Sequence, residues 1–549
     1  MTEPVRFKDS LKGLLALLQP NSGRILVRCL IGCVRIAASM AFVWVCKSLV
    51  DIASGDSDRP LYMYVALMVG IMLVQYCNNL FASYYEGLTT VKANAEMRAH
   101  VFGHVMKSRL DGTESFHSGD MVNRLEEDIQ VVVELICSRI PEIIITLLQL
   151  AAASAYLIML SPGLWWLLIG LMLVAVIGSK MFFKTIRSLT LAIRKKESEI
   201  QGFMQENILH RAAALTLGGL SRILETLAEK QDEVVRQTTG RLRLGTAARG
   251  FMSLGFAAGY ASAFLWGIFG IHSGTVTFGM MMAFVQLVGQ VQMPVSNLGR
   301  HVPAFIHALT SVDRIDELTA LPQEEYDKPQ LFDTTAGITL RNVSFRYREQ
   351  GRLILDNLSY TFQPGTFTAI TGETGAGKST LMRLILALLH PTDGTVALTV
   401  NGHEIPISAD TRCNFMYVPQ GNSLMSGTIR QNFLMANPDA TDKEMYNALS
   451  VAEAGFVTEL PDGLDSKCGE EGGGFSEGQS QRIAIARALL HPGSIMILDE
   501  STSALDPATE KALLQNLHDF CNGRKTVLFV SHRESVSGWA DAVLNLNIR

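Results

Sequence analysis

The sequence predicts an all-α membrane domain of six spanning helices followed by an α/β domain. Three observations carry that fold class. Six apolar stretches lie between residues 25 and 298, each near the ~20 residues a helix needs to cross a ~30 Å hydrocarbon core. Beyond residue 335, short β-rich runs alternate with helical ones, the pattern of a largely parallel sheet. One of those runs leads straight into a glycine-rich phosphate loop. Composition agrees: 48% of the 549 residues are hydrophobic and only 18% charged, and the mean hydropathy is positive. Disordered, collagen-like and small disulfide-stapled chains are excluded on these figures. The net charge of −5 argues against a nucleic-acid partner.

Met1–Leu11 is polar and charged, so no cleavable leader is expected. Residues 1–20 are expected to form an interfacial helix on the inner leaflet, because Leu11, Leu14, Leu15 and Leu18 share one face of Phe7–Leu18. A plain cytoplasmic helix fits that pattern as well. The expected spans are Ile25–Val50, Leu61–Tyr84, Glu142–Leu160, Leu164–Phe183, Phe251–Ile271 and Phe278–Leu298, within a membrane domain of residues 21–310. Three short connections hold a single Lys or Arg, Arg59, whereas Glu86–Val133 and Thr185–Thr246 hold many. The positive-inside rule therefore puts the two long connections and both termini in the cytoplasm. Lys92–Lys107 and Glu197–Arg236 mix apolar and charged residues at helical spacing, so the spans should continue inward as stalks. The eight cysteines form no CxxC pair and read as buried free thiols.

Ser311–Thr335, acidic and holding Pro322 and Pro329, reads as a linker of residues 311–335 before an ATPase domain of residues 336–549. Gly372-Glu373-Thr374-Gly375-Ala376-Gly377-Lys378-Ser379 matches GxxxxGK[ST] in full, with Thr380 following. It stands between the apolar run Phe367–Ile370 and the helical Leu381–Leu389, as such a loop requires. Backbone N–H groups there can close on phosphates, Lys378 can reach the β/γ-phosphates, and the Ser379 hydroxyl can ligate Mg²⁺. Ser494–Leu498 is an apolar strand delivering two carboxylates at its end. Asp499 is suited to the Mg²⁺ shell and Glu500 to activating the attacking water.

Between these elements lies Gly472–Arg482, which resembles the LSGGQ signature of ATP-binding cassette (ABC) transporters. The order of other elements extends the resemblance over nearly the whole chain. Tyr347 sits where an aromatic residue stacks on adenine, and Gln420 resembles the Q-loop glutamine, a further Mg²⁺ ligand in that family. Ser503–Asp506 resembles the D-loop, and His532 resembles the switch histidine. Ser118-Gly119-Asp120 and Arg124 are similar to the first inner connection of the family's exporters. The resemblance implies an α/β P-loop ATPase domain of ABC type, catalytic Glu500, His532 and Lys378, and nucleotide contacts from Ser476, Gly478, Gln479 and Asp506. Two departures stand out: Phe475 for the usual Leu, and Glu477 for the first of two glycines.

What the resemblance implies is an ATP-driven exporter or flippase in a bacterial plasma membrane, working as a dimer of half-transporters with ATP and Mg²⁺. A homodimer is expected because every motif is intact, with half of a heterodimer the alternative. Lipid, peptide and drug substrates are not separated by these residues. A soluble DNA-maintenance ATPase is opposed by the spans, and a regulatory subunit by the intact Lys378, Glu500 and His532. Gln286 and Gln290, one turn apart in the last span, suit a cavity lining or a helix–helix contact equally.

Overall fold

The computed structural model describes residues 13, 19–56, 58–110, 116, 118–347, 351–373, 375–469, 473–530 and 538–546, without the side chains of 118, 175, 176, 178–184, 295–303 and 306. Apart from residues 13, 19 and 20, the expected interfacial helix falls outside these residues, as do Thr374 and His532. The chain divides into two units, residues 1–101 with 121–317 and residues 102–120 with 318–549.

The first unit is helical. Its long helices are α1 (Ser22–Ala53), α2 (Leu61–Met106, which ends in the second unit), and a helix over Gly119–Leu160 built from α3 (Ser118–Asn123), α4 (Ile129–Glu134) and α5 (Ile140–Leu160) joined by π-helical turns at Arg124–Asp128 and Leu135–Arg139. There follow α6 (Pro162–Leu209), the short α7 (Arg211–Thr216), α8 (Leu220–His272) and α9 (Phe278–Thr319). Among the described residues, Ser22–Ala53, Leu61–Met106, Gly119–Leu160 and Leu220–His272 are long and apolar enough to cross a membrane. The fourth and sixth expected spans lie in α6 and α9 and run through the side chains left undescribed.

Small residues let these helices approach. Gly32 of α1 leaves no room for a side chain against Ile145 of α5, and Gly267 of α8 none against Met281 of α9. Val43, Leu157, Leu164, Ala263, Phe284 and Leu287 form a buried cluster. The helices run on past the expected spans, although Glu197–Arg236 is not one helix. It breaks at His210 and again at Leu217–Gly219, where Gly218 adopts φ +66°. Of the cysteines, all free thiols, Cys137, Cys468 and Cys521 are buried as expected, whereas Cys33 and Cys77 are exposed.

The expected linker needs correcting at its start. α9 runs to Thr319, because Ser311, Val312, Ile315 and Leu318 recur at helical spacing and are buried. The acidic residues that suggested a linker occupy the intervening positions. Arg124 donates to the Arg314 carbonyl and to Glu317, each at 2.7 Å, and the Ser311 hydroxyl donates to buried Asp128 at 2.7 Å. The π-helical turn and the end of α9 are thereby fastened together.

The second unit contains two main sheets. The antiparallel one has the order β2 (Leu355–Phe362), β1 (Gly337–Phe345), β4 (Asp393–Val400), β5 (His403–Pro406). The parallel one has the order β11 (Ala542–Leu546), β3 (Phe367–Gly372), β10 (Thr526–Val530), β9 (Ile495–Asp499), β6 (Phe415–Val418). Apolar residues on both faces bury this sheet between helices, so β9 and β10 are buried at every position. A short hairpin pairs β7 (Gly427–Thr428) with β8 (Lys467–Cys468).

Residues 320–336 lack regular structure yet are held along their length. Leu321, Gln323 and Glu324 meet the chain at residues 104–109, with a β-bridge between Ser108 and Gln323. Glu324 then receives both arms of Arg412 at 2.8 and 2.9 Å, and Asp327, Gln330 and Phe332 bond to residues 410–414.

Candidate functional site

Strand register assembles the site. Val530 of β10 is opposite Ile370 of β3 on one side and Asp499 of β9 on the other. At a strand spacing of ~4.8 Å, the phosphate loop and the β9 carboxylates therefore emerge roughly 10 Å apart on the same sheet edge. Ligands of open α/β sheets bind at that edge, beyond the carboxyl ends of the strands.

The loop itself needs glycine. Gly375 and Gly377 adopt φ +85° and +93°, and Gly377 caps α10 (Lys378–Ile385), so that helix begins at the lysine. Lys378 is buried and curls back, donating to the carbonyls of Gly372 at 2.7 Å and Glu373 at 3.1 Å. Burial holds its ammonium below the ordinary lysine value, against the opposing charges of Glu500 and Asp499. A phosphate would supply the negative partner that the carbonyls supply here. Ser379 sits in the first turn of α10, where free N–H groups and the helix dipole favour an anion. Thr380 is buried, and its hydroxyl lies 3.2 Å from that of Tyr347. Tyr347 is 47% exposed and stands edge-on to Phe345, leaving ring surface open beside the loop.

Asp499 closes β9 at 3% exposure, with Oδ1 buried and unpartnered among the described residues. Its Oδ2 accepts a long bond from Tyr417 at 3.5 Å. Burial, and then the neighbouring Glu500, push the carboxyl above its ordinary range. Burial and Asp499 likewise push Tyr417 up to about 12. The orphaned Asp499 oxygen, the Ser379 hydroxyl and the Gln420 amide oxygen all stand at or beyond the carboxyl ends of parallel strands of one sheet, and they are oxygen donors of the kind that fits Mg²⁺. Glu500 adopts φ +49°, a left-handed backbone that turns its side chain out of the strand. Its Oε2 accepts from Gln420 Nε2 at 2.7 Å, leaving the amide oxygen of Gln420 for another ligand.

The signature residues form a separate group. Ser476 caps α11 (Glu477–Leu489): its hydroxyl accepts from Gln479 N at 3.3 Å, while Gln479 Oε1 accepts from Ser476 N at 2.9 Å. Gln479 therefore spends its side chain on the cap, which the resemblance alone did not reveal. Gly478 packs against Ala504 and Leu505 with no space to spare. Phe475 turns inward to Phe456, so its bulk is absorbed by the core, and Glu477 projects outward from the first turn. Asp506 caps α12 (Pro507–Cys521), accepting from Ala508 N and Thr509 N. These hydrogen bonds, Thr509 foremost, hold its carboxyl below the ordinary range. Among the described residues, no hydrogen bond or ion pair joins Ser476, Gly478, Gln479 or Asp506 to the phosphate loop.

Sequence reading missed three features. Tyr417 is two residues into β6, a strand the sequence did not single out. The pair Arg412–Glu324 joins residues far apart in the chain. Arg35 stands inside Ile25–Val50, a span expected on apolar content without weighing its charges. Gln286 and Gln290 are half-buried in α9, and the Gln290 amide oxygen is buried without a partner among the described residues.

A helical membrane unit fused to an ATPase unit with this loop and carboxylate pair defines a class, the membrane-bound P-loop ATPases. Comparison narrows it. Residues 25–295 match the model of the ABC transporter transmembrane region, and residues 355–503 match the ABC transporter model. The chain is similar to YgaD, an ATP-binding/permease protein of Bacillus subtilis, with 28% identity covering 97% of this chain and 94% of that one. It is 30% identical to the toxin RTX-I translocation ATP-binding protein of Actinobacillus pleuropneumoniae, covering 87% of this chain and 68% of that one. A bacterial Atm1-family ABC exporter with ATP bound shares the fold, with a TM-score of 0.79 and 22% identity over 96% of this chain and 93% of that one. The chain belongs to the ABC transporters, as a half-transporter of the exporter type. It is an integral membrane protein that binds ATP and couples its hydrolysis to transport.

Proposed function

We propose that the chain works as a homodimer exporting a substrate from the cytoplasmic side, with two ATP sites each shared between two copies. The carrying observation is that, among the described residues, no hydrogen bond or ion pair within one chain joins the phosphate loop to the signature turn at Ser476. A second copy can bring its Ser476 and Gly478 to the phosphates held by the first, completing a site that neither contains alone.

At each site Lys378 would leave its carbonyl partners for the β/γ-phosphates, and Gly372–Thr380 would wrap them with backbone N–H groups. Tyr347 offers its ring to adenine. Ser379, Gln420 and Asp499 would hold Mg²⁺, which neutralises charge on the phosphates when bound. Glu500, oriented by Gln420, accepts the proton of the attacking water, and His532 is the further catalytic group the resemblance supplies. ATP closes the dimer and hydrolysis reopens it, because nucleotide binds the closed state better. Toxin translocation and multidrug export among the relatives support export. The domain limits proposed are a membrane domain over residues 21–310 and an ATPase domain over 336–549, with the connection between them partly helical.

The chain purified alone should be dimeric, with vanadate-sensitive ATPase activity. Monomeric protein that hydrolyses ATP only with a different half-transporter would replace the homodimer by an asymmetric pair. Orientation has its own test, with the native cysteines replaced. Asp58→Cys and Ser273→Cys should react with an impermeant thiol reagent outside intact cells, and Glu229→Cys should not. The opposite pattern would invert the topology.

A further inference from the structure

Arg24, Arg28 and Arg35 fall on one face of α1, at spacings of four and seven residues. The first two are neutralised by α2: Arg24 bonds Glu96 at 2.7 and 2.8 Å, and Arg28 bonds Glu86 and, at 3.3 Å, the Ala82 carbonyl. The third is not. Arg35 is half-buried, and among the described residues no hydrogen bond or ion pair engages its guanidinium. It lies seven residues, roughly 10 Å, farther along the helix than Arg28, and roughly 18 Å short of Lys47, which pairs with Asp51 near the far end. That places it within the spanning part of α1.

Its surroundings are polar where α2 passes. Gln75 donates to the Ala38 carbonyl at 3.1 Å and Asn78 to the Ile31 carbonyl at 3.3 Å, so Ile31 and Ala38 face α2. Gly32 faces α5 through Ile145. Arg35, three residues from both Gly32 and Ala38, lies between these two contacts. The charges acting on it are Arg28, Glu86 and Glu142. Glu86 is committed to Arg28, and Glu142 approaches Arg139 at 4.0 Å. An arginine kept in a spanning helix without a contact partner is costly, and such residues mark substrate pathways.

We propose that Arg35 binds the acid group of an anionic amphiphile, a single charged end on a hydrocarbon chain, where α1 faces α2 and α5. The chain of the ligand brings it to this depth, which a purely water-soluble anion does not reach. This rests on the exporter reading and names the class of its substrate. Arg24 and Arg28, held by Glu96 and Glu86, are the bound rungs of the same ladder, and the ligand takes the role of the missing third acid.

The test is equilibrium binding of labelled laurate and of uncharged dodecanol to the full chain in phosphatidylcholine nanodiscs, without nucleotide and in mildly alkaline buffer. Laurate should bind roughly tenfold more tightly, the ratio one charge-assisted contact supplies. Arg35→Gln should bring the two ligands together, Arg35→Lys should keep most of the preference, and Arg35→Glu should transfer it to dodecylamine. Equal affinities in the native chain, or a preference that survives Arg35→Gln, overturn the proposal. Discs doped with phosphatidylglycerol separate the sources: displaced laurate assigns the site to bilayer lipid, and retained laurate assigns it to free acids. ATP hydrolysis on the same discs keeps the two readings apart. Laurate selectivity without hydrolysis would end the exporter reading and leave the site, and hydrolysis without selectivity would end only the site.

Discussion

Replacing Glu500 by glutamine leaves ATP binding intact and lowers turnover by roughly 10²–10⁴, the range a positioned general base contributes. The geometry limits what else can change. Glu500 follows the last residue of a fully buried strand, and its Oε2 accepts from Gln420 at 2.7 Å. Glutamine keeps the size and still offers an amide oxygen to Gln420, so backbone and contact survive while basicity is lost. ATP should accumulate unhydrolysed in a closed dimer, read as retained labelled nucleotide and absent phosphate release. Turnover near the native rate would remove Glu500 from the reaction and send the search to another group at the edge of β9.

Lys378→Ala should act one step earlier, on nucleotide affinity. The ammonium is buried and held by the Gly372 and Glu373 carbonyls at 2.7 and 3.1 Å. Those bonds aim the charge into the loop before any phosphate arrives. Losing one charge-assisted contact of about 1.5–3 kcal/mol predicts an affinity lower by roughly 10–100-fold. Titration with a fluorescent ATP analogue measures this directly. Arginine should not restore it, because the ammonium is buried and a planar fork is larger than an ammonium. An affinity within twofold of native would mean that the backbone N–H groups alone hold the phosphates.

The candidate ATP site was legible because its chemistry is local. A phosphate loop must follow a strand and open a helix, and Gly372–Thr380 does both within a few residues. The Asp499–Glu500 pair was legible for the same reason, as a polar end to an apolar strand. What stayed hidden depends on distant partners. Gln479 and Asp506 read as nucleotide contacts, yet within one chain each takes part in capping a helix, a use visible only once the helix starts are placed. The first residues of the expected linker are helical because neighbouring helices bury one of their faces, and acidic composition concealed that stripe. Arg35 was missed for another reason: averaging hydropathy over a long span removes the single charge that matters most.

The left-handed backbone of Glu500 has a consequence for the domain's evolution. A residue other than glycine at φ +49° gives up roughly 1–2 kcal/mol to steric crowding, and glycine there would be nearly free of it. Glu500→Gly should therefore be inert in hydrolysis yet unfold at an equal or higher temperature, since the gain offsets the roughly 0.5–1 kcal/mol of added disorder in the unfolded chain. A clearly lower melting temperature would show that the Gln420 contact outweighs the strain. Turnover and folding thus pull this position in opposite directions. A descendant that ceased to hydrolyse ATP would be free to drift here toward glycine or asparagine, becoming sturdier as it lost its engine.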